Sequence, residues 1–187
     1  MSRLARKEPK QQKYPASIIK VGAVLYRFEA YTYDDGSSTV ELQEWCVRSI
    51  QRKRGSQTYY GRKKPLAEFY QEKYVNVTQK VKGVTWGKRS RKNGDFGFLK
   101  SIPENYRKQF KVGNDLPVGI FTTQLTALKF AIKDKEESIK RFHQYIKEET
   151  DLVEIKEWED EIDDANKELK LLKSRHTRMG NAKNLKK

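Results

Sequence analysis

Between residues 123 and 174 the apolar side chains recur at a spacing that permits little besides a pair of packed helices. Leu125, Leu128, Ile132, Lys135, Ile139, Phe142 and Ile146 step by three and four; after EETD the stepping resumes with Ile155, Trp158, Ile162, Ala165, Leu169 and Leu172. Alternating steps of three and four keep one stripe on one helix face, and two such stripes separated by a few residues predict an antiparallel hairpin. Asp151, with Glu154 three residues on, predicts a capping box in which Asp replaces Ser or Thr. At 1.5 Å per residue each helix would be on the order of 35 Å long. Lys135 is the one charged residue in the seams. It lies near an end, snorkels to solvent or sets register. The heptad is lost in SRHTRMGNAKNLKK, where Gly180 and Asn181 predict a helix stop.

Upstream the periodicity changes. In SIIKVGAVLYRFEAYTY, Val24, Tyr26, Phe28 and Ala30 alternate with Leu25, Arg27 and Glu29, the period of a strand. Asp35-Gly36 is a hairpin turn signal, and Val40, Leu42 and, after a shift, Trp45 and Val47 form the returning strand. QRKRGSQTYYGRKKP reads as a basic loop or strand end, and LAEFYQEKY as a short helix with Leu66, Phe69, Tyr70 and Tyr74 near one face. Val75, Val77 and Val81 mark a further strand, and Asn93-Gly94 a turn into its partner DFGFLKSI. PENYRKQF, with Pro103 in its first position, reads as a helix of one or two turns.

These elements predict an α+β protein, with a small antiparallel β domain followed by an antiparallel helical hairpin. An SH3-like or OB-like barrel is one solution for the strands. The expected organisation is a basic flexible arm over 1–16, a basic β-rich nucleic-acid-binding domain over 17–111 and a linker over 112–122 containing Gly113, Pro117 and Gly119. The helical hairpin follows over 123–174 and a basic tail over 175–187.

The net charge of the 187-residue chain is +15, from 40 basic and 25 acidic residues. Self-repulsion at that level disfavours a compact state, so a large net charge argues for a partner of opposite sign. The charge is also unevenly placed. Residues 51–100 carry fourteen basic and three acidic residues, a net of +11, whereas 123–168 carry eight and fourteen, a net of −6. Residues 1–20 and 169–187 contribute +5 and +7. Clustered Lys and Arg are the electrostatic footprint of nucleic-acid binding.

Within the basic middle, cations interleave with aromatics. Arg52, Lys53 and Arg54 precede Tyr59 and Tyr60, then Arg62, Lys63 and Lys64; further on come Trp86, Lys88, Arg89, Arg91 and Lys92, then Phe96 and Phe98. Lys and Arg neutralise phosphates and release counterions, and exposed rings can stack on unpaired bases. If the two clusters occupy neighbouring loops they form one groove.

Other chemistries find less support in the sequence. The single Cys46 cannot form an internal disulfide or a cysteine-rich zinc site and reads as a small core residue. His143 and His176 lack partners at metal-ligand spacing, so no metal or cofactor is expected. The Tyr-x-Gly-like fragment in TYYGRKK lacks the preceding Gly-Ile-Tyr strand of GIY-YIG nucleases, and Glu154–Lys156, which resembles the end of a restriction-type metal site, falls on a predicted helix with no partner strand. No apolar run reaches the roughly 20 residues of a membrane span. The basic N-terminus has no apolar segment behind it, so no signal peptide is expected and the chain is read as cytoplasmic, or nuclear if its source is eukaryotic.

GVTWGKRSRKNGDFGFLKSIP followed by LPVGIFTTQLTALKFAIKDKEESI resembles small uncharacterised bacteriophage proteins in which a short basic β region runs into a Thr-led helix. The resemblance spans about residues 75–140 and carries over no functional residue. It implies an early, host-takeover type of factor, acting in the host cytoplasm on host or viral DNA and transcription, with DNA slightly preferred over RNA. The expected function is therefore nucleic-acid binding, largely sequence-tolerant, through the phosphate backbone. The alternative is a protein-binding adaptor or inhibitor acting, or self-associating, through residues 123–174. A nucleic-acid-processing enzyme is a third reading; the first two are non-enzymatic.

Overall fold

The computed structural model describes residues 11–81 and 103–184. Its elements run β1 (Val24–Thr32), β2 (Ser38–Gln51), β3 (Ser56–Tyr59), β4 (Arg62–Pro65), α1 (Leu66–Phe69), β5 (Tyr74–Gln79), β6 (Arg107–Lys111), α2 (Gln124–Glu148) and α3 (Leu152–Asn184). The fold is α+β. A curled antiparallel sheet in the order β1-β2-β5-β6 and a separate two-stranded ribbon, β3–β4, are followed by two long helices. DFGFLKSI and its Asn93-Gly94 turn lie outside the described residues. The chain divides into two compact units: Gln11–Tyr26 with Gln43–Thr122, here the sheet unit, and Arg27–Leu42 with the long helices, the helical unit.

In the sheet unit the register is Val47 opposite Val77 and Val75 opposite Phe110. Antiparallel partners share a face, so these pairs line one side of the sheet with Leu25 and Trp45. What closes that side is chain outside the strands, folded in turns. Ile19 comes from the N-terminal segment, and Leu116 and Ile120 come from residues 112–122. The region expected to be a linker thus carries fully buried core side chains. Its Gly and Pro residues shape a close-fitting turn: Gly113 and Gly119 both have positive φ, and Ile120 N–H donates to the Pro117 carbonyl. Gln12 stitches the two covering segments together. Its carbonyl accepts from Leu116 N–H at 2.9 Å, its side-chain oxygen accepts from Thr122 N–H at 3.0 Å, and its Nε2 donates to Thr122 Oγ1. Residues 11–16, expected within a flexible arm, are therefore tied down; 1–10 lie outside the described residues.

Three further local expectations change. LAEFYQEKY forms a single turn, and Tyr74 leaves it to open β5. PENYRKQF turns only over Glu104–Tyr106 and then becomes β6. Phe110 is the one apolar side chain of β6, so a helix there would bury little, whereas pairing with β5 places it against Val75. In β1 the buried residues are Leu25 and Phe28 rather than a single alternating set. They lie three apart and serve different units, so one alternation cannot capture both.

In the helical unit, Thr123 caps α2 by accepting from Thr126 N–H, and Asp151 caps α3 by accepting from Val153 N–H at 2.8 Å. The expected capping box forms only in part, because Asp151 N–H goes to Glu149 rather than Glu154. The long helices form the hairpin read from the heptads, with Phe142 stacked on Trp158 at 5.5 Å near the turn. Their seam breaks at Glu168, which is buried where the repeat favoured Leu169. Its carboxylate pairs with Lys135 of α2 and accepts from Thr32 Oγ1 of β1 at 3.2 Å. Lys135 therefore has a charge partner across the seam. Past residue 174, where the heptad is lost and a basic tail was expected, α3 continues through the expected stop at Gly180 and Asn181 to Asn184. A helical Gly costs only about 1 kcal/mol relative to Ala, and contacts from this stretch support the continuation. Arg175 donates to the Val40 carbonyl at 3.2 Å and lies over the Phe28 ring.

Two outcomes follow from this packing. Lys135→Met leaves the Glu168 carboxylate, 8% exposed, without its cation, and is expected to destabilise by about 3 kcal/mol; Lys135→Met with Glu168→Leu is expected to recover most of that loss. Urea unfolding followed by circular dichroism measures both, and purely additive losses would contradict a buried pair. Cys46 is buried and its thiol is pushed up by desolvation. Labelling with a thiol reagent should therefore require unfolding, running more than about a hundred-fold slower in buffer than in denaturant.

Candidate nucleic-acid interface

The β3–β4 ribbon is built on a two-residue loop. Tyr60 and Gly61 have φ of 47° and 72°, the signs that a tight turn needs to match the right-handed twist of its strands. Gly61 adopts this freely, but a tyrosine with positive φ is an outlier. At the other end of the ribbon, Leu66 N–H donates to the Gly55 carbonyl at 2.9 Å and anchors the base against α1.

The register assigns each cation a face. Tyr59 is opposite Arg62 and Gln57 opposite Lys64 on one side, while Thr58 is opposite Lys63 on the other. On the first face Tyr59 packs against Phe69 of α1, ring centroids 5.4 Å apart, with the Lys64 ammonium 5.9 Å from its ring. Tyr60 meets Tyr59 edge to face at 4.5 Å and is otherwise open to solvent. Arg52 and Arg54 are exposed in the loop leading into the ribbon. Lys53 turns inward, its ammonium 4.3 Å from the Tyr70 ring and 5.3 Å from that of Tyr74.

The main sheet adds to this end. Gln51 pairs with Tyr74, so Arg52 and Lys73 flank one register pair, and Tyr74 pairs in turn with Lys111. Lys73 is exposed and escaped the sequence reading because it stands alone between tyrosines; only the strand register reveals its position. Lys111 is neutralised by Glu72 at 2.8 Å. The ammonium holds the Glu72 carboxyl below its ordinary range, and the carboxylate raises Lys111. Among the described residues, Arg52, Arg54, Arg62, Lys63 and Lys73 have no carboxylate partner, while Lys80, Lys111, Lys133, Lys135, Lys167 and Lys173 each have one. Among the described residues, the ribbon and the segments flanking it thus hold a run of cations with no carboxylate partner.

The second expected cluster, Trp86, Lys88, Arg89, Arg91 and Lys92, lies outside the described residues. Its attachment points are described. β5 ends at Gln79 opposite Trp45, and β6 starts at Arg107 opposite Thr78. They stand at the end of the sheet away from Gln51 and Tyr74, a strand length of roughly 20 Å. The expectation that the two clusters form one groove falls on residues outside those described. Among the described residues no group of three or more His, Cys, Asp and Glu could hold a metal ion, and no helix is long and apolar enough to cross a membrane. No protein-family model, no curated protein and no solved structure matches this chain.

Proposed function

We propose that this protein binds nucleic acid through the β3–β4 ribbon and the cationic end of its sheet, gripping the phosphate backbone with little sequence selection. The observation that carries the reading is the exposed, unpaired set Arg52, Arg54, Arg62, Lys63 and Lys73. Cations held apart from carboxylates keep their full attraction for phosphate, and their mutual repulsion is relieved when phosphate binds. The β-ribbon itself is a shape that a duplex major groove accepts and a single strand can wrap. An early phage-type factor working on host or viral DNA in the cytoplasm belongs to the same proposal, on the resemblance of residues 75–140.

A second reading has one observation in its favour. At the helix–helix turn Leu152 and Val153 are 80% and 67% exposed, on a helix whose first half is acidic. An apolar tip with an anionic flank suits a protein surface better than a phosphate backbone. In sedimentation of the full chain, self-association abolished by Leu152→Ser with Val153→Ser would identify a second copy as the occupant.

The main reading is tested by fluorescence anisotropy with labelled duplex DNA, single-stranded DNA and RNA across a range of salt. Binding to duplex is expected to weaken linearly in log K against log salt. Replacing Arg52, Arg54, Arg62 and Lys63 by Ala is expected to reduce that slope by about 3 to 4, at roughly 0.9 for each phosphate no longer neutralised. Absence of binding to all three at low salt would refute it.

A further inference from the structure

We infer that Tyr60 is a stacking platform for an unpaired nucleobase, so that the ribbon prefers single-stranded nucleic acid to duplex. The inference rests on the phosphate-binding reading and adds the class of nucleic acid selected. Three observations converge on this residue.

The first is backbone strain. Tyr60 occupies the first loop position of a two-residue turn at φ 47°, where Asn, Asp or Gly is favoured. Asn-Gly would make a better turn, so turn formation does not account for the ring. The second is exposure. Tyr60 is 89% exposed, so its ring adds almost nothing to the core. A large aromatic held in a strained conformation and left in water serves neither local nor tertiary stability.

The third observation is support. Tyr60 leans edge-on against Tyr59 at 4.5 Å and 77°, and Tyr59 leans on Phe69 at 5.4 Å. The three rings run from the loop to α1 and fix the direction of the outermost one without covering it. Arg62 lies across from Tyr59 on one ribbon face, and Lys63 lies on the other. A base stacked on Tyr60 would have its flanking phosphates within the field of both cations. Ring plus cations is the arrangement by which single strands are held without sequence readout. A duplex already stacks its bases, and entry of a ring costs a few kcal/mol of unstacking per step. A single strand offers its faces without that cost.

The test compares the full-length protein with Tyr60→Asn and Tyr60→Phe. Tyr60→Asn installs the turn-favoured Asn-Gly pair, so its melting temperature should match or exceed that of the parent. The probes are an oligothymidylate, a hairpin duplex of similar charge and an abasic oligonucleotide that keeps the phosphates without bases. Tyr60→Asn is expected to weaken oligothymidylate binding about tenfold, the effect of removing one base stack. Duplex and abasic binding should move less than twofold, with the salt slope unchanged. Tyr60→Phe should keep the single-strand preference, because stacking needs the ring and not the hydroxyl. Equal losses on single strand and duplex, or no loss on either, would overturn the stacking role while phosphate binding stood. Failure of the parent chain to bind any probe would overturn both readings.

Discussion

The register of β2, β5 and β6 is the constraint from which the sheet unit follows. Side chains alternate faces along a strand, so a slip of one residue would turn every core side chain outward. With Val47 against Val77 and Val75 against Phe110, one face is apolar and must be covered. The same register brings Gln51, Tyr74 and Lys111 level at one end of the sheet. The chain between Gln51 and Tyr74 has to leave and re-enter there, and its 22 residues, 52–73, are the ones that carry the ribbon. Burial of the valines and presentation of the cations are thus two consequences of one pairing.

The helical unit contains several matched charges. Lys133, Lys135, Lys167 and Lys173 are each matched to a carboxylate, and the least exposed of these, Glu168, joins α2, α3 and β1. A buried ion pair contributes little net stability against an apolar alternative, but it disfavours any register in which one partner is buried alone. A hairpin whose seam is otherwise apolar could slide by a heptad at modest cost. Lys135 and Glu168 make that slide unfavourable, and Thr32 fixes the β1–β2 tip to the same point.

Much of this was legible in the sequence. The helices and their break came from the heptads, the first strands from alternation, and the β1–β2 turn from Asp35-Gly36, where Asp35 accepts from both the N–H and the hydroxyl of Ser37. Legibility failed where a distant partner decided the outcome. Leu116 and Ile120 sit among Gly and Pro that signal a loop, and only the open face of the sheet makes them core. Phe110 looked helical because its pairing with Val75 is remote in sequence. The helix beyond residue 174 was not legible as structured because the contact of Arg175 with the Val40 carbonyl spans 135 residues. In the candidate site the cations were legible as a cluster, but their division between ribbon faces and the inward turn of Lys53 depend on register and on the Tyr70 and Tyr74 rings.

Tyr60 was legible as an aromatic among cations but not as a strained one, because φ is a property of the closed ribbon. Local consistency is what makes a sequence fold to one structure, and a residue that breaks it in a place where repair is simple points to another demand on that residue. One substitution to Asn would relieve the loop, and one carboxylate beside Arg52 or Arg62 would reduce the repulsion around the ribbon. The chain uses neither device there, although it uses both elsewhere: Asp35-Gly36 forms the β1–β2 turn, and Glu72 neutralises Lys111. The strained Tyr60 and the exposed Arg62 and Lys63 are neighbours in the β3–β4 ribbon, and Arg52, Arg54 and Lys73 flank it at the end of the sheet that the β2–β5–β6 register exposes. A stability-only account would have to treat strain and unpaired charge as separate accidents, whereas a polyanion with accessible bases accounts for both at once.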